Sequence, residues 1–244
     1  MKVTAINGSP RGRHSSTQQM VAAFLRGAEQ AGAKTQEIFL AEKKISPCQG
    51  CFSCWLKTPG SCVLKDDMTE LLPLLGDTDV LVLGTPLYYD HITAQLKTFM
   101  DRSLPVCEPY FQKDAWGECR HARRNGGQSP KLVLLSNCGF PERSHFQVLS
   151  HWIERVARNM KTEVLAEIYA AQGGLLSVGI PQLAPVIAAY LKQVEAAGMQ
   201  IIHDGAVSEA TKSLLEQNFL PDEVYIAQAN QYFDTMLATH KAET

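Results

Sequence analysis

Residues 5–17 read Ala5-Ile6-Asn7-Gly8-Ser9-Pro10-Arg11-Gly12-Arg13-His14-Ser15-Ser16-Thr17, and the fold is decided there. Residues 3–6 form an apolar strand. The chain breaks at Asn7-Gly8-Ser9-Pro10 and reaches three consecutive hydroxyl side chains. Directly afterwards Val21, Phe24, Leu25 and Ala28 recur at helical spacing. A strand, a glycine-containing turn and a helix start make an anion site in an α/β protein. The first helical turn leaves backbone N–H groups unpaired at the positive end of the helix dipole. Ser15, Ser16, Thr17, Arg11 and Arg13 add further donors. The loop has neither the Gly-Lys-Ser/Thr ending of a P-loop nor a Gly-x-Gly-x-x-Gly fingerprint. It therefore suits one terminal phosphate. The competing reading is an ordinary N-cap made by one of the hydroxyls.

Outward from this loop, strand and helix alternate. A helix is predicted over 16–31, a strand over 35–40, a short helix over 69–75 capped by Asp66 or Asp67, and a continuous apolar strand over 79–84. A loop at 85–91 and a helix at 92–102 follow. After them come a strand at Lys131–Asn137, a helix at 144–161 and a fifth strand at 162–169. That alternation predicts an α/β fold: a flavodoxin-like doubly wound five-stranded parallel sheet in the order 2-1-3-4-5, with additional C-terminal helices. Residues 1–170 form this expected ligand-binding α/β domain, with a cysteine-rich insertion at about 41–66. Residues 171–244 form a helical extension, predicted over 183–197, 208–217 and 221–237 and either packed on the domain or used in oligomerisation. The polar stretch 108–130, with its basic run Arg120-His121-Ala122-Arg123-Arg124, interrupts the pattern and receives no element.

A chain of 244 residues can bury a full core. Its net charge of −2 offers no electrostatic reason to expect nucleic acid or an anionic membrane surface. No apolar run approaches the roughly 20 residues of a membrane span, and the N-terminus reads as a strand rather than a secretory signal. Seven cysteines, unevenly placed in a chain too long to need disulfides, favour metal or redox use inside a cell. The expectation is a cytoplasmic protein.

In an open α/β sheet ligands bind beyond the C-terminal ends of the strands. Three loops fall there: residues 8–17, residues 85–91 (Thr85-Pro86-Leu87-Tyr88-Tyr89-Asp90) and residues 137–144 (Asn137-Cys138-Gly139-Phe140-Pro141). The second carries two aromatics able to lie against a flat ring, and the third a glycine for close backbone approach. A hydroxyl-rich phosphate loop backed by a doubly wound sheet points to FMN. Separately, Cys48, Cys51, Cys54 and Cys62 read C-x2-C-x2-C-x7-C. Thiolates so clustered suit a soft metal or an iron–sulfur cluster, and structural zinc more often uses two separated pairs. Reduced thiols packed as small apolar groups are the bland alternative, and the better reading for Cys107, Cys119 and Cys138.

Together, Asn7-Gly8-Ser9-Pro10-Arg11, Pro47-Cys48-x-Gly50-Cys51-x-x-Cys54 with Cys62, Asp66-Asp67-Met68, and Thr85-Pro86-Leu87-Tyr88 resemble the NAD(P)H-dependent FMN reductases and, more closely, their iron–sulfur flavoprotein branch. The resemblance covers about residues 1–169. It implies FMN at the strand ends, its phosphate near Ser9, Arg11, Ser15, Ser16 and Thr17, and its ring near Pro86, Leu87, Tyr88, Tyr89, Asp90, Asn137 and Gly139. It also implies a [4Fe–4S] cluster on Cys48, Cys51, Cys54 and Cys62, and homodimers or homotetramers. The implied activity takes hydride from NAD(P)H and passes electrons to a flavin, quinone or other acceptor. No side chain is assigned as catalytic, because the flavin supplies the chemistry. The alternatives are a non-enzymatic flavin and iron–sulfur carrier reduced by a ferredoxin-like partner, and a zinc or thiol site on a flavin-free module. The basic run would meet an NADPH phosphate, line a lid, or remain solvated or at a subunit contact.

Overall fold

Alternation along the first strand sets the architecture. In β1 (Lys2–Asn7) Val3 and Ala5 enter one buried cluster while Ile6 enters the other, on the opposite face of the sheet. The computed structural model describes residues 1–243, with side chains to residue 239. Thr244, the last residue of the expected extension, lies outside the described residues. β1 pairs in parallel with β2 (Lys34–Phe39) and with β3 (Val80–Pro86). β3 pairs with β6 (Lys131–Asn137), and β6 with β7 (Val164–Ala170), giving the order β2-β1-β3-β6-β7. With the intervening hairpin strands left out of the numbering, this is the predicted 2-1-3-4-5 order. β3 is apolar on both faces, as a central parallel strand must be: Val80 and Val82 face one layer, Leu81 and Leu83 the other.

One layer holds α1 (Ser16–Gln30) and α6 (Ala184–Asp204) over Val133, Leu135 and Ile168. Their backbones cross in contact. A Cβ at Gly27 would lie 1.8 Å from the Glu195 carbonyl oxygen, and one at Gly198 would lie 2.1 Å from that of Phe24. The other layer holds α3 (Met68–Leu74), α4 (Ala94–Asp101) and α5 (Gln147–Met160), through Met68, Leu71, Leu96, Phe99, Leu149 and Ile153. α7 (Glu209–Leu215) returns Leu215 to the first core, and α8 (Asp222–Glu243) carries exposed Tyr232, Phe233 and Leu237. Among the described residues no helix is long and apolar enough to cross a membrane.

The largest departure from the sequence reading is residues 108–130, which are not an irregular stretch. β4 (Cys107–Lys113) and β5 (Cys119–Arg123) form an antiparallel hairpin. Its turn is closed by Asp114, whose Oδ1 accepts from the amides of Trp116 and Glu118 at 3.0 Å each, while Oδ2 accepts from Arg158 at 2.8 Å. Most of β4 faces solvent, so no apolar alternation announces it. Several boundaries also move. The third strand runs on to Pro86, the helix expected from 92 begins at Ala94 after Thr93 caps it, and a 3-10 turn, Arg143–Phe146, precedes α5. Asp67 holds the N-cap position of α3 without a side-chain cap bond, and Asp66 Oδ1 accepts from the Met68 amide instead.

Candidate functional site at the sheet edge

Asn7 ends β1 fully buried and organises the first loop. Its Oδ1 accepts from the Ser9 amide at 3.0 Å, and its Nδ2 donates to Gln18 and to Glu37 at 2.9 and 3.1 Å. Burial raises the Glu37 carboxyl above its usual range, against the bonds from Asn7 and Gln18 that favour its charged form. Gly8 is seated tightly: its amide donates to the Gly84 carbonyl at 2.7 Å, and an added Cβ would meet Leu96 Cβ at 2.8 Å. Thr93 Oγ1 donates to the Gly8 carbonyl at 2.6 Å and accepts from the Leu96 amide, so the N-terminus of α4 is bolted to this loop.

The three hydroxyls take three different parts. Ser15 is the N-cap of α1, accepting from the Gln18 amide at 3.0 Å and donating to the Gly12 carbonyl. Thr17 is buried and accepts from Asn137 Nδ2 at 2.9 Å. Ser16 Oγ lies 2.9 Å from Ser177 Oγ. Among the described residues, the amides of Ser16 and Thr17 have no backbone acceptor. These are orphan donors of a fifteen-residue helix, the group an anion satisfies. Arg11 is exposed at the rim with its guanidinium on the His14 carbonyl. Arg13 instead pairs with Glu42 at 2.8 Å and lies over the Phe39 ring, away from this cradle.

The other two predicted loops lie along the same edge. The Leu87 amide donates to the Asn137 carbonyl at 2.8 Å, tying the Pro86–Leu87 end of β3 to Asn137 at the end of β6. Tyr88 and His91 form an isolated bridge, and between them Tyr89 and Asp90 both take left-handed backbone, with φ of 49° and 55°. Such conformations cost non-glycine residues about 1–3 kcal/mol each and gather at functional sites. Tyr89 is fully exposed, and Asp90 reaches His145 Nδ1 at 3.4 Å. An added Cβ at Gly139 would meet nothing within 4 Å. Beside it, the exposed Phe140 ring stacks on His145 at 4.3 Å.

A fourth loop, after β7, completes the edge and was absent from the sequence reading. Fully buried Gln172 has a left-handed backbone, and its amide donates to the Phe140 carbonyl. The Gly173 amide donates to the Cys138 carbonyl. At Gly173 a Cβ would lie 2.5 Å from Asn137 Cβ, and the same loop brings Ser177 to Ser16. Gln172-Gly173-Gly174 was the available signal: a Gly-Gly pair directly after a strand.

The cysteine segment sits elsewhere: Cys48 and Cys62 lie near the C-terminal end of α4, away from the end that Thr93 caps. α2 (Ser53–Leu56) lies among them, with Gly50 and Phe52 in left-handed conformations on either side of Cys51. Cys54 is buried and Cys51 exposed. Burial pushes the Cys54 thiol up, and the neighbouring Cys62, Cys48 and Cys51 add to the rise. The Ser53 hydroxyl and amide lower the Cys51 thiol. Among the described residues no three His, Cys, Asp or Glu side chains converge closely enough to hold a single ion. A ladder of rings, Phe52–Trp55–His121–Phe111, with centroids 5.2, 4.8 and 5.1 Å apart, braces this segment against the hairpin.

The basic run lies on β5 and beyond, engaged with the scaffold. Arg120 donates to the Arg158 carbonyl, Arg123 to Ser129, and Arg124 to the carbonyls of Pro105 and Cys107. Arg120 and Arg123 line a cavity of about 540 Å³ with Lys131 and Thr162, at the starts of β6 and β7. That is the sheet edge opposite the four loops.

Comparison with known proteins agrees with the fold. Residues 1–118 match the family model for NADPH-dependent FMN reductases. An iron–sulfur flavoprotein of Archaeoglobus fulgidus is 42% identical over 105 residues, 43% of this chain and 46% of that protein, so the match spans about half of that relative. One from Methanocaldococcus jannaschii is 37% identical over 139 residues, 56% of this chain and 70% of that protein. Among solved structures, an FMN-dependent NADH-azoreductase from Bacillus anthracis in complex with FMN shares the fold. Its TM-score is 0.59 at 17% identity, covering 82% of this chain and 99% of that one. An NAD(P)H:quinone oxidoreductase from Methanothermobacter marburgensis does so with a TM-score of 0.55 at 19% identity, covering 82% and 96%.

Proposed function

The chain belongs to the NADPH-dependent FMN reductase and iron–sulfur flavoprotein family, and on that footing we propose that it is an FMN-dependent oxidoreductase. It takes hydride from NAD(P)H and passes electrons to a flavin, quinone or other acceptor, with a [4Fe–4S] cluster on Cys48, Cys51, Cys54 and Cys62. The observation that carries this reading is the pair of orphan amides on Ser16 and Thr17, beside the Ser16 hydroxyl, at the switch point of a doubly wound sheet.

Bound FMN supplies two-electron acceptance from a nicotinamide and release of electrons singly or in pairs. The protein's part is to hold and orient it. Ser16 and the first turn of α1 take the phosphate, with Arg11 at the rim. Ser15 and Thr17 support that turn, one as its cap and the other through Asn137. The strained turn at Tyr89 and Asp90 and the open side of Gly139 offer backbone and aromatic surface to the ring.

The donor set of the cysteine segment fits an iron–sulfur cluster. Four thiols within fifteen residues, Cys48 to Cys62, supply the soft sulfur donor set that a cluster takes. A cluster there would supply one-electron steps. Cys62 lies beside Arg102, directly after α4, and the eight residues of that helix span about 12 Å.

Steady-state oxidation of NADH and NADPH by the FMN-loaded protein, with free flavin and a quinone as acceptors, tests the reading. Turnover with either nucleotide is expected. No turnover with both, alongside fast reduction by ferredoxin, would assign the chain as an electron carrier instead.

A further inference from the structure

Residues 46–66 hold all four cysteines, and both ends of this loop meet at one buried side chain. Arg102, directly after α4, is 1% exposed. Its Nη1 donates to the Ser46 carbonyl at 2.6 Å and to Asp66 Oδ2 at 2.7 Å, and its Nη2 donates to Asp66 Oδ1 at 2.9 Å. Asp66 Oδ2 in turn accepts from the Ser46 amide at 2.9 Å. The loop is thus closed by a bidentate ion pair and two backbone bonds. Arg102 uses three of its five N–H donors in these bonds, and among the described residues Nε is buried with no partner. Cys62 stands close to the same guanidinium.

A surface loop does not require a fully buried arginine to close it, and burying a guanidinium costs several kcal/mol unless its bonds are nearly complete. That incompletely bonded guanidinium lies beside Cys62. We infer that Arg102 is a positioning residue for the four-cysteine site: it clasps the ends of the loop so that the thiols stay gathered, and it leaves its charge beside Cys62. The inference rests on the cluster reading above. It adds that the charge near the thiolates comes from α4, whose other end is bolted to the flavin loop through Thr93 and Gly8. Asp66 offsets part of that charge and fixes its orientation.

The test uses the full chain, wild type beside Arg102→Gln, Arg102→Lys and Asp66→Asn, reconstituted anaerobically with iron and sulfide. Three quantities are read: iron per chain, the cluster midpoint potential, and the iodoacetamide alkylation rate of the cysteines in metal-free protein. Arg102→Gln is expected to retain less iron, to titrate at a more negative potential and to alkylate faster. Arg102→Lys is expected to recover the potential while alkylation stays fast, because the charge returns without the bidentate clasp. Asp66→Asn is expected to move the potential in the opposite direction from Arg102→Gln, since it leaves the positive charge less neutralised. A merely structural role would shift both the same way. If Arg102→Gln does not fold, Arg102→Lys and Asp66→Asn carry the comparison. Wild-type iron, potential and alkylation rates in the variants would overturn the inference. An iron-free wild type would overturn the cluster reading, and the alkylation rates would then decide the clasp alone.

Discussion

At the residue scale, Asp66 shows how one buried contact sets a pH limit. The Arg102 guanidinium, followed by the Ser46 and Met68 amides, outweighs burial and holds its carboxyl at about 2, below the ordinary value near 3.8. A carboxylate depressed on folding stabilises the native state above its unfolded pKa, and that contribution disappears as pH falls through the folded value. The window is therefore about pH 4 down to about pH 2, and the contribution is about 2 kcal/mol. Urea unfolding of metal-free protein at pH 5 and pH 2.5 should show this loss, and Asp66→Asn should lack it. Asp66→Asn should also be about 3–5 kcal/mol less stable at pH 7, because it removes one partner of a buried pair. Parallel pH dependence in both proteins would contradict the assignment. At the other site, Ser16→Ala should weaken FMN by roughly 1.5–3 kcal/mol, about ten- to a hundredfold, if its hydroxyl bonds the phosphate. Isothermal titration reads this directly, and unchanged affinity in a folded variant would remove Ser16 from the phosphate site. Of the three hydroxyls, the sequence made all equivalent. All three are buried, and only tertiary contacts separate the cap Ser15, Thr17 held by Asn137 and Ser16 set against Ser177, since Asn137 and Ser177 arrive from far along the chain.

At the element scale, the α1–α6 crossing is the most constrained packing in the molecule. Gly27→Ala would drive a methyl into the Glu195 carbonyl, and the helices must separate. Overpacking of this kind costs typically about 1–3 kcal/mol, occasionally more. Gly139→Ala, by contrast, places its methyl in open space and should leave urea stability unchanged, while weakening FMN if the ring approaches that backbone. A stability loss at Gly139 equal to that at Gly27 would contradict the packing described. The parallel strands were legible because burial on both faces writes continuous apolar runs, as in residues 79–84. The β4–β5 hairpin was not. Phe111 and Tyr110 are exposed, and its registration depends on Asp114 meeting Arg158 across 44 positions of sequence. Ionic and aromatic contacts of that range leave no periodic trace.

At the scale of the whole molecule, strand order followed from the alternation of strands and helices, and the three predicted loops meet at one sheet edge because parallel strands end together. The fourth loop, at Gln172–Ser177, was readable only as a Gly-Gly pair, with nothing local to say that it would reach Ser16. The cysteine motif was legible as a motif, but not its position at the opposite end of α4, which depends on the buried Arg102. The two proposed cofactor sites are thus joined by one helix, bolted to the flavin loop at Thr93 and followed at its other end by Arg102, which clasps the cysteine loop. The flavin site is the claim on which the rest depends. Titration of flavin-free protein with FMN, followed by quenching of flavin fluorescence, tests it most directly. Saturation at one FMN per chain is expected, with riboflavin, which lacks the phosphate, bound at least about tenfold more weakly through loss of the phosphate's charged hydrogen bonds. No saturable quenching, or equal affinity for FMN and riboflavin, would contradict it.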